Sequence, residues 1–211
     1  MASRVGWVNE NPVTQERGAV LIDPGDDPDG LFAGVVELGS EARVAGERFH
    51  PAQHERFRVL SGALTLKLEG VERTLTAGEI ADIPAGAVHD WWNASGAPAS
   101  ALVWVDPGLR FLELISTLFG LARTGRTNEK GMPDPLQLAV IATEFRDTVV
   151  FTSPPPLVQK LVLGPLAALG RARGRRAVYP ELQEPLEVVV PDPELIALAE
   201  RFRPAARPAG P

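Results

Sequence analysis

The sequence predicts an all-β core, an antiparallel sandwich or barrel, followed by an α-helical extension. Three observations predict it. Short apolar runs separated by Gly, Pro and Asp turns fill residues 19–106. Within them, Leu64, Leu66 and Leu68 alternate with polar residues, the period of a half-buried strand. After Asp106-Pro107-Gly108 the period lengthens: Leu109, Leu112, Ile115, Leu118, Phe119 and Ala122 recur at helical spacing.

Taken in order, residues 1–18 are polar and form an N-terminal arm or a first edge strand. Ala19–Asp23 is a short strand, Pro24–Gly30 a loop dense in Asp, Pro and Gly, and Phe32–Leu38 a second strand. Glu41–Phe49 is extended. Two strands flank Ser61-Gly62. Turns follow at Glu69-Gly70, Ala77-Gly78-Glu79 and Pro84-Ala85-Gly86, with extended structure at Arg73–Leu75, Ile80–Ile83, Val88–Asn93 and Ala101–Val105. The barrel therefore spans 19–106 and the helical extension 107–202. Its helices are 109–122, Leu136–Phe145 with Pro135 in the first turn, Leu157–Leu169 with a kink at Gly164-Pro165, and Pro193–Phe202. Residues 203–211, rich in Pro, Ala and Arg, form a flexible tail.

Composition narrows the function. The 211 residues are 45% hydrophobic, enough for one sizeable core. With 27 acidic and 21 basic residues the net charge is -6, which gives no general attraction for nucleic acid. The basic run Arg171–Arg176 lacks interleaved aromatics and reads as a solvated helix end. The most apolar stretch is too short and too interrupted for a membrane span, and the N-terminus lacks a signal peptide's apolar run. The absence of cysteine removes disulfides, thiolate ligands and a cysteine nucleophile. These features fit a cytoplasmic protein.

All three histidines, His50, His54 and His89, fall in the strand-rich region. Imidazoles and a carboxylate brought together from separate strands are metal-ligand chemistry. Two segments carry them: Gly46-Glu47-Arg48-Phe49-His50-Pro51-Ala52-Gln53-His54-Glu55, continuing to Gly62, and Gly78–Asn93, with Pro84, Gly86, His89 and Asn93 at fixed spacing. They resemble the two motifs of the cupin superfamily. The helical stretches Thr117–Arg123, Gly125–Asn128 and Pro135–Val140 are similar to those of a bacterial single-domain cupin group.

The resemblance implies a double-stranded β-helix (jelly-roll) barrel, a small-molecule ligand, a homodimer, and a divalent metal such as iron, manganese, nickel or zinc. By the same resemblance the ligands are His50, Glu55 and His89. The family's first histidine falls on Arg48, which has no lone pair to offer a metal. His54 is a candidate replacement ligand, provided a loop or bulge turns it inward. Glu55 and His54 are candidate proton carriers.

Three readings of Arg48 remain open. It holds an anionic substrate beside a two-His-one-carboxylate metal site, or it pairs with Glu55 in a metal-free acid-binding pocket, or it points outward. Phe57, Val59, Leu64, Leu66 and Trp91 are candidate pocket walls, and Phe57, Trp91 and Asn93, with Arg48, candidate substrate contacts. The function this implies is a metal-dependent oxygenase or isomerase of a small anionic or aromatic molecule. The alternative is a metal-free binding protein using Arg48.

Overall fold

The element that sets the architecture is the central strand Ala99–Asp106, whose inward and outward faces are both apolar. Ala101, Val103 and Val105 point into the core between two sheets, whereas Leu102 and Trp104 point to a second core behind. A strand buried on both sides must be covered twice, which is why a sheet and a helix pack on it.

The computed structural model describes residues 2–40, 42–44 and 46–205. Its strands are β1 (Trp7–Asn11), β2 (Glu16–Ile22), β3 (Phe32–Leu38), β4 (Arg48–Phe49), β5 (His54–Ser61), β6 (Ala63–Leu68), β7 (Val71–Thr76), β8 (Ile80–Ile83), β9 (His89–Trp92), β10 (Ala99–Asp106), β11 (Val150–Phe151) and β12 (Glu187–Val188). They form a seven-stranded sheet, β12-β1-β2-β3-β10-β5-β8, and a five-stranded sheet, β11-β4-β9-β6-β7. Every pairing is antiparallel. The helices are α1 (Phe111–Arg123), α2 (Pro135–Glu144), α3 (Pro156–Ala172) and α4 (Pro193–Arg201). The chain thus forms the expected jelly roll with a C-terminal helical extension.

Local chemistry accounts for the boundaries. The β5–β6 turn needs glycine: Gly62 has φ +69°, and a Cβ there would meet the Pro98 carbonyl at 2.6 Å. Asp134 caps α2 by accepting from the Leu136 and Gln137 amides, and Asp192 caps α4 by accepting from Glu194. The start of α1 is Phe111 rather than Leu109, because Leu109 sits at φ +44°, outside the helical region.

Of the two alternatives for residues 1–18, an arm or a first edge strand, the strand is what forms: residues 7–11 and 16–18 belong to β1 and β2 of the seven-stranded sheet, with only the two-residue β12 outside β1. Their polar residues left this open, because Asn9, Asn11 and Glu16 are buried and bonded rather than solvated. At the other end, Arg203 is held by both oxygens of Asp27 and by Asp29, so the first residue of the expected flexible tail is anchored. Residues 206–211 of that tail lie outside the described residues.

The extension is tied into the barrel. α4 covers the back of the large sheet, where the buried Trp104 indole donates to the Ala199 carbonyl at 3.0 Å. α1 packs on β1 and the inner core through Leu112. α2 and α3 pack through Ala139, Val140 and Ala167, with Gly170 against the Leu136 carbonyl. The strands β11 and β12, contributed from beyond residue 107, pair with β4 and β1. In the basic run, Arg175 pairs with Asp134 at 2.8 Å and Arg171 lies 3.9 Å from Glu144. No helix among the described residues is long and apolar enough to cross a membrane.

Candidate functional site

Three side chains converge inside the barrel. His50 follows β4, Glu55 is the second residue of β5, and His89 opens β9. All three are buried, and one ligand atom from each lies within 4.8 Å of the others. Glu55 Oε2 is 3.0 Å from His89 Nε2 and 3.6 Å from His50 Nε2. The imidazoles stack, with centroids 5.3 Å apart and planes 26° apart.

Backbone bonds hold this arrangement. The Pro84–Gly86 turn, with Gly86 at φ +82°, lets the Gly86 amide donate to the His50 carbonyl at 2.8 Å. The two motifs are thereby joined. Arg48 and His89 are register partners across β4 and β9.

The tautomers follow from the partners. His50 Nδ1 lies 2.7 Å from the Thr148 carbonyl, and His89 Nδ1 lies 3.0 Å from the Ala87 carbonyl. A carbonyl only accepts, so each Nδ1 carries the proton. In neutral imidazoles each Nε2 then presents a lone pair. Those two lone pairs and the Glu55 carboxylate face one another. His50 Nε2, His89 Nε2 and Glu55 Oε2 are all buried without a hydrogen-bond partner. Buried acceptors aimed at one another need a shared cation or protons. A divalent metal fits this donor set, and the Nδ1–carbonyl bonds are the outer contacts that orient metal-binding histidines. Burial opposes ionisation of Glu55, but hydrogen bonds and positive charge from His50 and His89, when these rings carry a proton on Nε2, outweigh it and hold the carboxyl below the ordinary carboxylate range.

Thr148 precedes β11 in the helical extension, so the part of the chain outside the barrel orients one of the barrel's histidines. A cavity of about 130 Å³ reaches this cluster and is lined by His50, Glu55, Arg48, Trp91, Glu16 and Asn9 among mostly apolar side chains. One wall belongs to α1, through Phe111, Ile115 and Phe119. Val44, Trp91 and Phe151 also border a wider cleft of about 850 Å³ lined by Arg43, Glu47, Lys67 and Asp90.

Several expected site residues sit elsewhere. His54 is exposed and adjacent to Glu55 on regular β5, opposite Asp106, so strand alternation turns it away from the cluster. No bulge falls there, and His54 is not among the residues that the fold brings into the cluster. Asn93 does not line the cavity. Its amide donates to the Gly39 and Ala97 carbonyls, and its oxygen accepts from Ser95. Phe57, Val59, Leu64 and Leu66 are core rather than pocket wall. Phe57 backs Trp91, with ring centroids 4.9 Å apart, and fills that side of the barrel. The open space lies instead toward β1–β3 and α1.

Arg48 does line the pocket. It is 8% exposed, donates to the Gly46 carbonyl at 3.2 Å and lies 5.9 Å from the Trp91 ring centroid. It therefore does not point outward. Among the described residues no ion pair joins it to Glu55, whose near partners are the two histidines. Glu16, in the N-terminal segment, was not legible as a site residue. It is buried in the pocket wall and accepts from the Thr14 hydroxyl at 2.5 Å. Burial pushes its carboxyl up to about 7, although the Thr14 bond and the Arg48 charge pull the other way.

Residues 34–105, within the barrel, match the family model described as "Cupin domain", in line with the jelly-roll fold. The chain is 34% identical over 109 residues to an oxidoreductase of Arthrobotrys oligospora. That match covers 46% of this chain and 43% of the relative, so the chain spans less than half of the relative's length. Among solved structures, a sugar phosphate isomerase of the cupin superfamily from Silicibacter pomeroyi is 28% identical, covering 49% of this chain and 69% of that chain with a TM-score of 0.41. The Cnp3 cupin domain of Schizosaccharomyces pombe is 15% identical, covering 47% of this chain and 66% of that chain, also with a TM-score of 0.41.

Proposed function

We propose that this chain is a metal-dependent cupin enzyme acting on a small organic molecule, with oxidoreductase chemistry the first to test. One observation carries the reading: three buried acceptor atoms, two of them histidine Nε2 lone pairs fixed by Nδ1–carbonyl bonds, converge without partners. His50, Glu55 and His89 would hold the ion, a two-His-one-carboxylate set. A bound divalent metal would supply a Lewis-acidic or redox centre with open coordination positions.

The chain's other groups have their own tasks. Apolar walls exclude water and hold the body of a ligand, and Arg48 positions its anionic group. Arg48 beside a cation also favours an anionic ligand, because like charges in a dry pocket repel. The name of the 34% identical relative favours oxidation over isomerisation, across the matched region. A homodimer, a cytoplasmic location, independence from nucleic acid and membership of the bacterial single-domain group complete the proposal.

The test is elemental analysis of protein purified without an affinity tag and offered iron, manganese, nickel or zinc. The reading predicts one equivalent of metal, lost in His50→Ala, His89→Ala and Glu55→Ala. Failure of the unmodified chain to take up any of the four ions would refute it.

A further inference from the structure

Glu16 enters the pocket from the seven-stranded sheet, remote in sequence from the metal motifs. It lines the same cavity as Arg48 and Trp91. Among the described residues no ion pair joins Glu16 to Arg48, so the two face a common space without closing on each other. The indole N–H of Trp91 is buried and has no hydrogen-bond partner. The cavity therefore offers a guanidinium, an unused N–H donor and a buried carboxyl, set among aromatic walls that include Trp7, Phe32 and Phe111.

We propose that Glu16 and Arg48 form a proton-linked acid-recognition site for a hydroxylated carboxylic acid with an apolar body. The acid's carboxylate lies on the Arg48 guanidinium and the Trp91 N–H, and its hydroxyl oxygen accepts a hydrogen bond from the Glu16 carboxyl. This deepens the proposed function and rests on its pocket, though not on the identity of the metal.

The charges around Glu16 favour this arrangement. Thr14 donates to one of its oxygens. β1 presents Asn11 as its register partner and Asn9 in the pocket, the latter tied to Arg123 of α1 at 2.6 Å. β3 presents Leu38, and β4 presents Arg48. His50 and Glu55 line the floor of the same cavity. Burial raises the acidity threshold of Glu16, and Arg48 is the cation that opposes this by lowering it. A ligand carboxylate on Arg48 cancels that cationic influence, so binding draws a proton onto Glu16. The protonated carboxyl then has an O–H to donate, which a carboxylate lacks.

The probes are mandelate and phenylacetate, which differ by one hydroxyl. Both are titrated calorimetrically into metal-loaded protein at pH 7.5, in two buffers of different ionisation enthalpy. The unmodified protein should bind mandelate about tenfold more tightly than phenylacetate. It should take up roughly half a proton per mandelate bound. Glu16→Gln should abolish the proton uptake while an amide N–H keeps part of the preference. Glu16→Ala should abolish both. Arg48→Met should weaken both acids by at least about tenfold. Equal affinity for the two acids, no measurable binding of either, or proton uptake unchanged in Glu16→Gln would overturn the proposal. Metal content is measured on the same samples. Glu16 and Arg48 variants that keep their metal but bind acids unchanged sink this site alone, whereas absence of metal from the unmodified protein sinks the metal reading.

Discussion

Replacing Glu16 with glutamine should stabilise the protein, and only at neutral and alkaline pH. Glu16 is 6% exposed, and burial moves its carboxyl from the ordinary 4.5 up to about 7. The folded state therefore binds a proton more tightly than the unfolded chain. Between pH 4.5 and 7 the native state retains a proton that the unfolded state has released, so stability falls as pH rises through that window. Above it, the accumulated loss is about 3 kcal/mol, from about 1.4 kcal/mol for each pH unit of displacement. Glutamine has nearly the same shape, can still accept from the Thr14 hydroxyl, and has no charge to bury. Urea denaturation should show Glu16→Gln more stable than the parent by about 3 kcal/mol at pH 8, and by less than about 1 kcal/mol at pH 5. A difference equal at the two pH values, or destabilisation at pH 8, would refute the assignment of Glu16 as a buried carboxyl that resists ionisation.

Three further outcomes follow from the site and its supports. In metal-free Glu55→Gln at pH 8, the amide can donate to an imidazole lone pair, so urea denaturation should show no loss and up to about 1 kcal/mol of gain. At a hundredfold excess over Kd, metal should add about 2.7 kcal/mol to the parent and nothing to this variant; a metal-free loss of about 3–5 kcal/mol would instead mean a buried ion triad. His54→Ala should leave metal stoichiometry unchanged, because His54 is exposed on the far face of β5, and loss of metal by elemental analysis would contradict that placement. Asn93→Ala should lower stability by about 2–4 kcal/mol in urea, since it removes the bonds to the Gly39 and Ala97 carbonyls and leaves the Ser95 amide without its acceptor; a stable variant with altered ligand affinity would restore Asn93 to the pocket.

Much of the barrel was legible because its strands obey simple rules. Phe32–Leu38 and Ile80–Ile83 have the boundaries their apolar runs and flanking turns dictate. His89 and Trp91 share the buried face of β9, as period two requires. The segments that escaped are those whose burial is polar. β1 and β2 carry Asn9, Asn11 and Glu16 inward, so polarity left this segment open between an arm and an edge strand. The two-residue strands β11 and β12 are held by pairing with distant segments and have no local signal.

The site divided along the same line. The resemblance of two motifs to a known family implied that His50, Glu55 and His89 come together, as they do, and marked Arg48 as a departure from the pattern. His54 was open only because sequence cannot show whether β5 is regular beside Glu55. Glu16 left no trace, because its partner Arg48 lies 32 positions along the chain and only the folded sheets bring them to one cavity. The contribution of Thr148 is a backbone carbonyl, which no side-chain pattern records.

The central claim is that His50 and His89 present Nε2, and Glu55 its carboxylate, to one ion. With three histidines in the chain, long-range proton–nitrogen NMR of the zinc-loaded, nitrogen-15-labelled protein reads it directly. Two imidazoles should show a protonated Nδ1 and a zinc-shifted Nε2. The third, assigned to His54 by its loss in His54→Ala, should be unchanged by zinc. Zinc shifts at Nδ1, or a zinc-shifted His54, would contradict the account.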